Sequence, residues 1–365
     1  MKRILYFSPI DWGWIKQRPQ FLAEYLSQYN EITVIYPFRN KRFDLQQENH
    51  SVINTIPYYM IPSFFIGLLH ANRLQEWFVK KQILHAVDIT SYDYVWLSMP
   101  WQWNFISDVM QKMPIIYDCM DDYLSINPNK KYNRLLAIQE KEIIKHATMI
   151  FASSDNLKTK LVSRYDISMP RSIHTVRNGY DSEWVFNKYQ QKEKNEDKYS
   201  IGYFGTIGRW FDFDAILYSL SKEHDIVYHL YGPLESGIYI PKHDRIIFHG
   251  VIEHRDIPKI LANVDALIMP FVNNEIVNSV DPVKLYEYIF LNKNILSVHY
   301  PEIDRFNKFV HFYSTKYEMV KQIEKLKNMS CCSYSISLGN KFLMENSWKI
   351  RAFQINNLIN NISNQ

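Results

Sequence analysis

The chain has 365 residues, 47% hydrophobic and 15% aromatic, which supplies two cores of ordinary size and argues against disorder. Glycine is scarce, 10 residues, and neither a P-loop nor a G-x-G-x-x-G occurs, which excludes Gly-rich repeats and disfavours common NTPase and dinucleotide folds. The net charge of +4 is too small for a nucleic-acid binder, and three cysteines (Cys119, Cys331, Cys332) cannot make a disulfide framework, so a reducing, cytoplasmic setting is expected.

Residues 3–8 (RILYFS) and 32–36 (ITVIY) are short β-rich runs. Between them QRPQFLAEYLSQ spaces Phe21, Leu22, Tyr25 and Leu26 as one face of a helix. A β-α-β opening of this kind favours a parallel sheet with a right-handed crossover. The N-terminal apolar run breaks at Pro9 and Asp11, so it reads as a buried strand with no signal peptide. IPYYMIPSFFIGLLH (56–70) is apolar and aromatic and is followed by Arg73, Lys80 and Lys81; it suits a peripheral contact with the inner face of a membrane, or else a buried helix. Strands are expected at 94–98, 114–117 and 148–152, with a helix at 133–146.

The run 178–200 contains KEKNEDK and reads as an exposed connection. The opening pattern then restarts, with strands at 200–204, 226–231, 245–248, 265–269 and 294–298. Helices are expected near 212–221, 255–263, 282–290 and 315–327, and a last helix from about 340 is expected to return to the first domain. The expected organisation is α/β: two Rossmann-like doubly wound domains facing a cleft, 1–178 and 200–340, with a linker 179–199 and a C-terminal helix 341–365 crossing back. Residues 1–178 carry 21 Lys and Arg against 16 Asp and Glu, the remainder 21 against 22, so a mildly basic first half suits an anionic surface or substrate.

Two stretches of the second half could hold phosphate. In YFGTIGRWFD a strand runs into Gly205-Thr206-Ile207-Gly208-Arg209; glycine lets a ligand reach the backbone, and Arg209 adds a forked cation. A plain turn with a solvated arginine would read the same way. In NNEIVNSVDPVKLYEYI, Asp281-Pro282 reads as the start of a helix whose amides favour an anion near Ser279 and Val280. Lys284 and Glu287 share a face, so lysine could meet a diphosphate and glutamate the ribose hydroxyls of a sugar nucleotide; a surface ion pair is the alternative. Asp281 should point away from any phosphate. Asp212-Phe213-Asp214 has the D-x-D form of a metal motif but sits where aspartate caps a helix, so no metal is expected there.

With these motifs in order, GYFGTIGRW, HLYGPLE, FHGVIEHRDIPKILANVDALIMPF and DPVKLYEYI resemble the C-terminal half of GT-B fold glycosyltransferases. SPIDWGWIKQRPQ, YDCMDDY and VRNGYD resemble the bacterial teichuronic-acid-type glycosyltransferase group, and more distantly the chain is similar to the xanthan glucuronosyltransferase. The resemblance implies a second domain that binds a nucleotide sugar, uridine being the base, and a first domain that binds a glycan or polyprenyl-linked acceptor, with no metal required. It assigns Gly205, Thr206 and Arg209 to the diphosphate, Val251 and Ile252 to the neighbourhood of the base, Lys284 to phosphate and Glu287 to ribose. Many retaining members carry a second glutamate eight residues before the first; here Ser279 stands in that place.

The first domain should supply a base. Asp11 follows the first strand, and Asp118, Asp121 and Asp122 follow PIIY; Asp11 and Asp122 are the first choices, then Asp121. Gln17 and Arg18 could bind acceptor hydroxyls or a lipid phosphate, or merely open the first helix. A catalytically degenerate chain that assists glycan assembly, and a sugar-nucleotide epimerase on the same fold, are the competing readings.

Overall fold

The computed structural model describes the chain except residues 15, 39–52, 62–71, 108–112, 128, 166–172, 182–197, 254–255 and 364–365. The chain divides into two compact units, Met1–Asn178 with Trp348–Gln365, and Gly179–Ser347. Most of the expected linker, 182–197, and the core of the apolar run, 62–70, lie outside the described residues.

The first unit holds β1 (Arg3–Phe7), β2 (Glu31–Phe38), β3 (Asn54–Tyr59), β4 (Tyr94–Leu97), β5 (Ile115–Cys119), β6 (Ala147–Ala152) and β7 (Ile173–Thr175). They form a parallel sheet in the order β3-β2-β1-β4-β5-β6-β7. Central strands such as β4 (YVWL) and β5 (IIYDC) are buried throughout, as a sheet covered on both faces requires. The helix Arg18–Leu26 crosses between β1 and β2 with Pro19 in its first turn, where a missing amide hydrogen costs nothing.

The second unit repeats this plan with β8 (Tyr199–Phe204), β9 (Ile226–Tyr231), β10 (Ile246–Gly250), β11 (Ala266–Met269), β12 (Asn294–Val298) and β13 (Val310–Tyr313). Its order is β10-β9-β8-β11-β12-β13, also parallel. In each sheet the order reverses beside the first strand, between β1 and β4 and between β8 and β11. Loops leaving the C-terminal ends of strands at such a reversal form the crevice where ligands of doubly wound sheets sit.

Two elements differ from expectation. Ile56–Tyr59 lie in the edge strand β3, not in a helix; Pro57 is tolerated there because an edge strand leaves one side without partners. From 336 onward there are two helices, Ile336–Glu345 and Trp348–Ser363. The break falls at Asn346-Ser347, where Ser347 bridges to Tyr180. The second of these helices belongs to the first unit: Trp348 is fully buried and stacks on Phe21 (5.1 Å, 11°), and Asn30 donates to Asn356 (3.1 Å).

Candidate functional site

In the second unit three strand ends are stitched together in steps. The Gly205 amide donates to the Tyr231 carbonyl (2.9 Å) and the Gly232 amide to the Gly250 carbonyl (2.7 Å). Gly205 and Gly232 have φ of 122° and 129°, a region side chains strain to adopt. A Cβ on Gly232 would strike the Gly205 carbonyl oxygen, and one on Gly205 would strike Cε of Lys284. Glycine is thus needed at both positions for conformation and at 232 for space as well, whereas a Cβ at 205 would push the Lys284 side chain aside.

Lys284 fills the room that Gly205 leaves. Its Nζ lies 5.8 Å from the Tyr203 ring centre and 6.0 Å from that of Phe271, and among the described residues it makes no hydrogen bond or ion pair. Burial lowers the pKa of this ammonium, and the negative charge of Glu287, three residues on, partly restores it. Aromatic faces attract the cation weakly; an anion would do so far more strongly.

The rest of the loop is fixed by neighbours. Tyr203 donates its hydroxyl to the Thr206 carbonyl (2.8 Å); toward the β9–β10 loop the Ile207 amide donates to the Pro233 carbonyl (2.9 Å) and the Glu235 amide to the Ile207 carbonyl (3.0 Å). Arg209 is exposed; its amide donates to Glu235 Oε2 (3.0 Å), and its Nε lies 4.0 Å from the same carboxylate. Val251, exposed, and Ile252, half-buried on the core, follow Gly250 at the same sheet edge. Just before them His249 stacks on Tyr231 (4.3 Å) and meets His229 (3.0 Å); burial, then His229, lower the His249 pKa.

The helix start needs correction. Val283–Phe290 is capped by Pro282, not by Asp281. Asp281 is buried and ion-paired to Arg305, so its charge is neutralised where it stands. The amides of Ser279 and Val280 are consumed by Ile276 (3.1 Å) and Val277 (3.0 Å) inside a short 3-10 turn, Val277–Ser279. Neither can hold an anion through its main chain; the open helix end is at Val283 and Lys284. Asp212 Oδ1 accepts from the Ala215 amide (2.9 Å), a cap, as its position in D-x-D suggested.

In the first unit, β5 delivers Asp118, Asp121 and Asp122 to three different fates. Asp118 is fully buried and grips Arg18, which donates to it from Nε (3.0 Å) and Nη2 (2.7 Å) and from Nη1 to Asn178 (3.1 Å). The Arg18 charge is therefore met inside the unit, and its expected role toward an acceptor phosphate is not supported. Gln17 is the N-cap of its helix, with its amide bonded to Gln20 (2.9 Å).

Asp122 accepts from Ser125 (2.7 Å), Lys160 (3.1 Å) and Arg164 (2.8 Å). Burial pushes its pKa up, but these donors outweigh it and hold the carboxyl below its usual value. So committed a group is a poor base, which overturns its high rank. Asp11 is also buried, with Oδ1 accepting from the Gly13 amide (2.9 Å) in a local turn. Asp121 differs: burial, with Asp118 and Asp122 adding to it against Arg18, raises its pKa to about 6. Sequence reasoning missed Glu140, which sits beneath this loop and accepts from Tyr117 (2.8 Å) and Arg164 (3.4 Å). Its only signal was an acid on the inward stripe of an amphipathic helix.

No family model matches the chain. A Bacillus subtilis (strain 168) protein, TuaH, named as a candidate teichuronic acid biosynthesis glycosyltransferase, is 22% identical over 238 residues, 60% of this chain. The match spans 59% of that protein's length. Among solved structures, sucrose-phosphate synthase from Thermosynechococcus elongatus superposes with a TM-score of 0.76 at 10% identity over 99% of both chains. HepE from Anabaena, solved in complex with UDP-glucose, gives 0.73 at 14% identity over 99% of this chain and 100% of its own. The chain has the GT-B fold. Within a GT-B chain the Gly205–Lys284 pair lies in the second Rossmann-like unit and the Asp118–Asp122 run in the first.

Proposed function

We propose that the chain is a glycosyltransferase that moves a sugar from a nucleoside diphosphate sugar, with uridine as the base, to a lipid-linked or growing cell-surface polysaccharide. The observation that carries this reading is Lys284: a half-buried ammonium that makes no hydrogen bond or ion pair among the described residues, beside a glycine bend and a helix N-terminus. The names of TuaH and of HepE with its UDP-glucose support it.

In this reading the diphosphate lies over Gly205 and Thr206 against Lys284, with Arg209 swinging from Glu235 to its outer oxygens. Glu287, one turn along, accepts from the ribose hydroxyls, and Val251 and Ile252 flank the base. As the acceptor oxygen bonds to the anomeric carbon, the carbon–oxygen bond to the diphosphate breaks and the electron pair leaves with the phosphate. Lys284, Arg209 and the amides at Val283 stabilise that charge, so the step needs no divalent cation. In an inverting transfer Asp121 takes the acceptor's proton, since it is ionised at neutral pH yet basic enough to do so. A bilayer contact through 56–81 belongs to the same reading: Tyr59, Trp77 and Lys81 are exposed, while the side chain of Arg73 lies outside the described residues. No described helix is long and apolar enough to cross a membrane.

The test is calorimetric titration of UDP. Lys284→Ala should weaken binding at least about tenfold and Glu287→Ala less, with unchanged circular dichroism. Equal affinity in wild type and Lys284→Ala would overturn the reading. Conversion of the sugar nucleotide without acceptor would favour the epimerase.

A further inference from the structure

The helix Lys130–His146 carries an outer face its neighbours do not cover. Glu140 and Ile143 point inward, whereas Lys131, Arg134, Leu135, Ile138, Lys141 and Lys145 are exposed, Ile138 to 62%. Glu142, the partly exposed acid of this helix, lies 3.9 Å from His146. Leu135 and Ile138, three residues apart on one face, make an exposed apolar pair bordered by lysines and an arginine.

A second face continues it. On the helix Asn72–Ala86, Leu74, Trp77, Lys81 and Leu84 recur three and four residues apart and are exposed, Trp77 to 56%. The short helix Trp103–Ile106 packs against both long helices, and Asn104 donates to Glu76 (2.6 Å). Tyr132, at the start of the other helix, is near enough to Glu76 for that carboxylate to help burial raise its hydroxyl pKa. The two helices are therefore neighbours.

We propose that the outer faces of Asn72–Ala86 and Lys130–His146 form one docking surface for a bilayer that carries anionic lipid. Trp77, Leu135 and Ile138 enter the interface, and the lysines and Arg134 meet the headgroups. This deepens the reading of a lipid-linked acceptor by giving that acceptor a direction of arrival. Asn133 donates to the carbonyls of Leu124 (2.7 Å) and Asn127 (2.9 Å), which binds the start of the docking helix to the turn that follows Asp121 and Asp122. A sugar carried on a lipid in that bilayer would arrive beside the carboxylates.

The experiment is co-sedimentation of the full chain with phosphatidylcholine vesicles, with and without phosphatidylglycerol, at low salt. The wild type should bind only the anionic vesicles. Lys131→Glu/Lys141→Glu and, separately, Ile138→Ser/Trp77→Ser should each lower the partition coefficient at least about tenfold. Lys321→Glu/Lys325→Glu, the same charge change in the other unit, should not. Equal sedimentation of all variants, or none by the wild type, would overturn the proposal. So would a dimer in light scattering that Ile138→Ser dissolves, because the occupant would then be a second copy. UDP titration of the same proteins reads the donor site separately: retained UDP affinity without vesicle binding removes the docking surface alone.

Discussion

The aliphatic end of Lys284 occupies the space where a side chain on residue 205 would be. Lysine and glycine here are a matched pair, 79 positions apart in sequence by their numbers. Gly205→Ala should displace the ammonium and weaken UDP binding at least about tenfold, measured by calorimetry. The positive φ adds a stability loss of roughly 1–2 kcal/mol, readable in urea melts.

Asp121 gives a pH signature. Its pKa rises from 3.8 unfolded to about 6 folded, so the folded state holds its proton more tightly. Its ionisation therefore destabilises the fold as pH rises from about 4 through 6, and the penalty is complete above that. Asp121→Asn should raise the melting temperature at pH 8 more than at pH 4. If Asp121 is the base, kcat/KM should climb through pH 6 in the wild type and lose that limb in the variant.

Arg164 serves two buried acids at once, Asp122 and Glu140. Arg164→Ala should cost about 3 kcal/mol at pH 7, because both carboxylates lose a charged donor. The depressed Asp122 pKa means this stabilisation is present above the unfolded pKa near 3.8 and fades as pH falls through the lower folded value. Urea midpoints of wild type and variant should converge in acid.

Much of the architecture was legible because central parallel strands are unbroken apolar runs. RILYF and DALIM announce themselves, whereas β3 carries Pro57 and exposed Tyr59, β7 has three residues, and β13 shows two half-buried ones. Lys284 and Glu287 were legible because helical spacing makes them neighbours. The difference between Asp121 and Asp122 was not. They are adjacent in sequence, and only the partners brought in by the sheet order, Lys160 and Arg164 around one and Arg18 and Asp118 near the other, separate their chemistry. The same holds for Arg18, read as a candidate ligand and found in the grip of an aspartate 100 residues away.

Because Trp348 completes the packing around Phe21, the second unit is in effect an insertion within the first. During synthesis the Arg18–Leu26 helix emerges early, yet the ring that covers it is translated more than 300 residues later, as the 326-residue separation of Asn30 and Asn356 shows. The insertion can mature on its own contacts while its host waits with an uncovered apolar strip. A chain synthesised only as far as Ser347 would thus hold every residue of the second unit while the first still lacked the helix that covers its apolar strip.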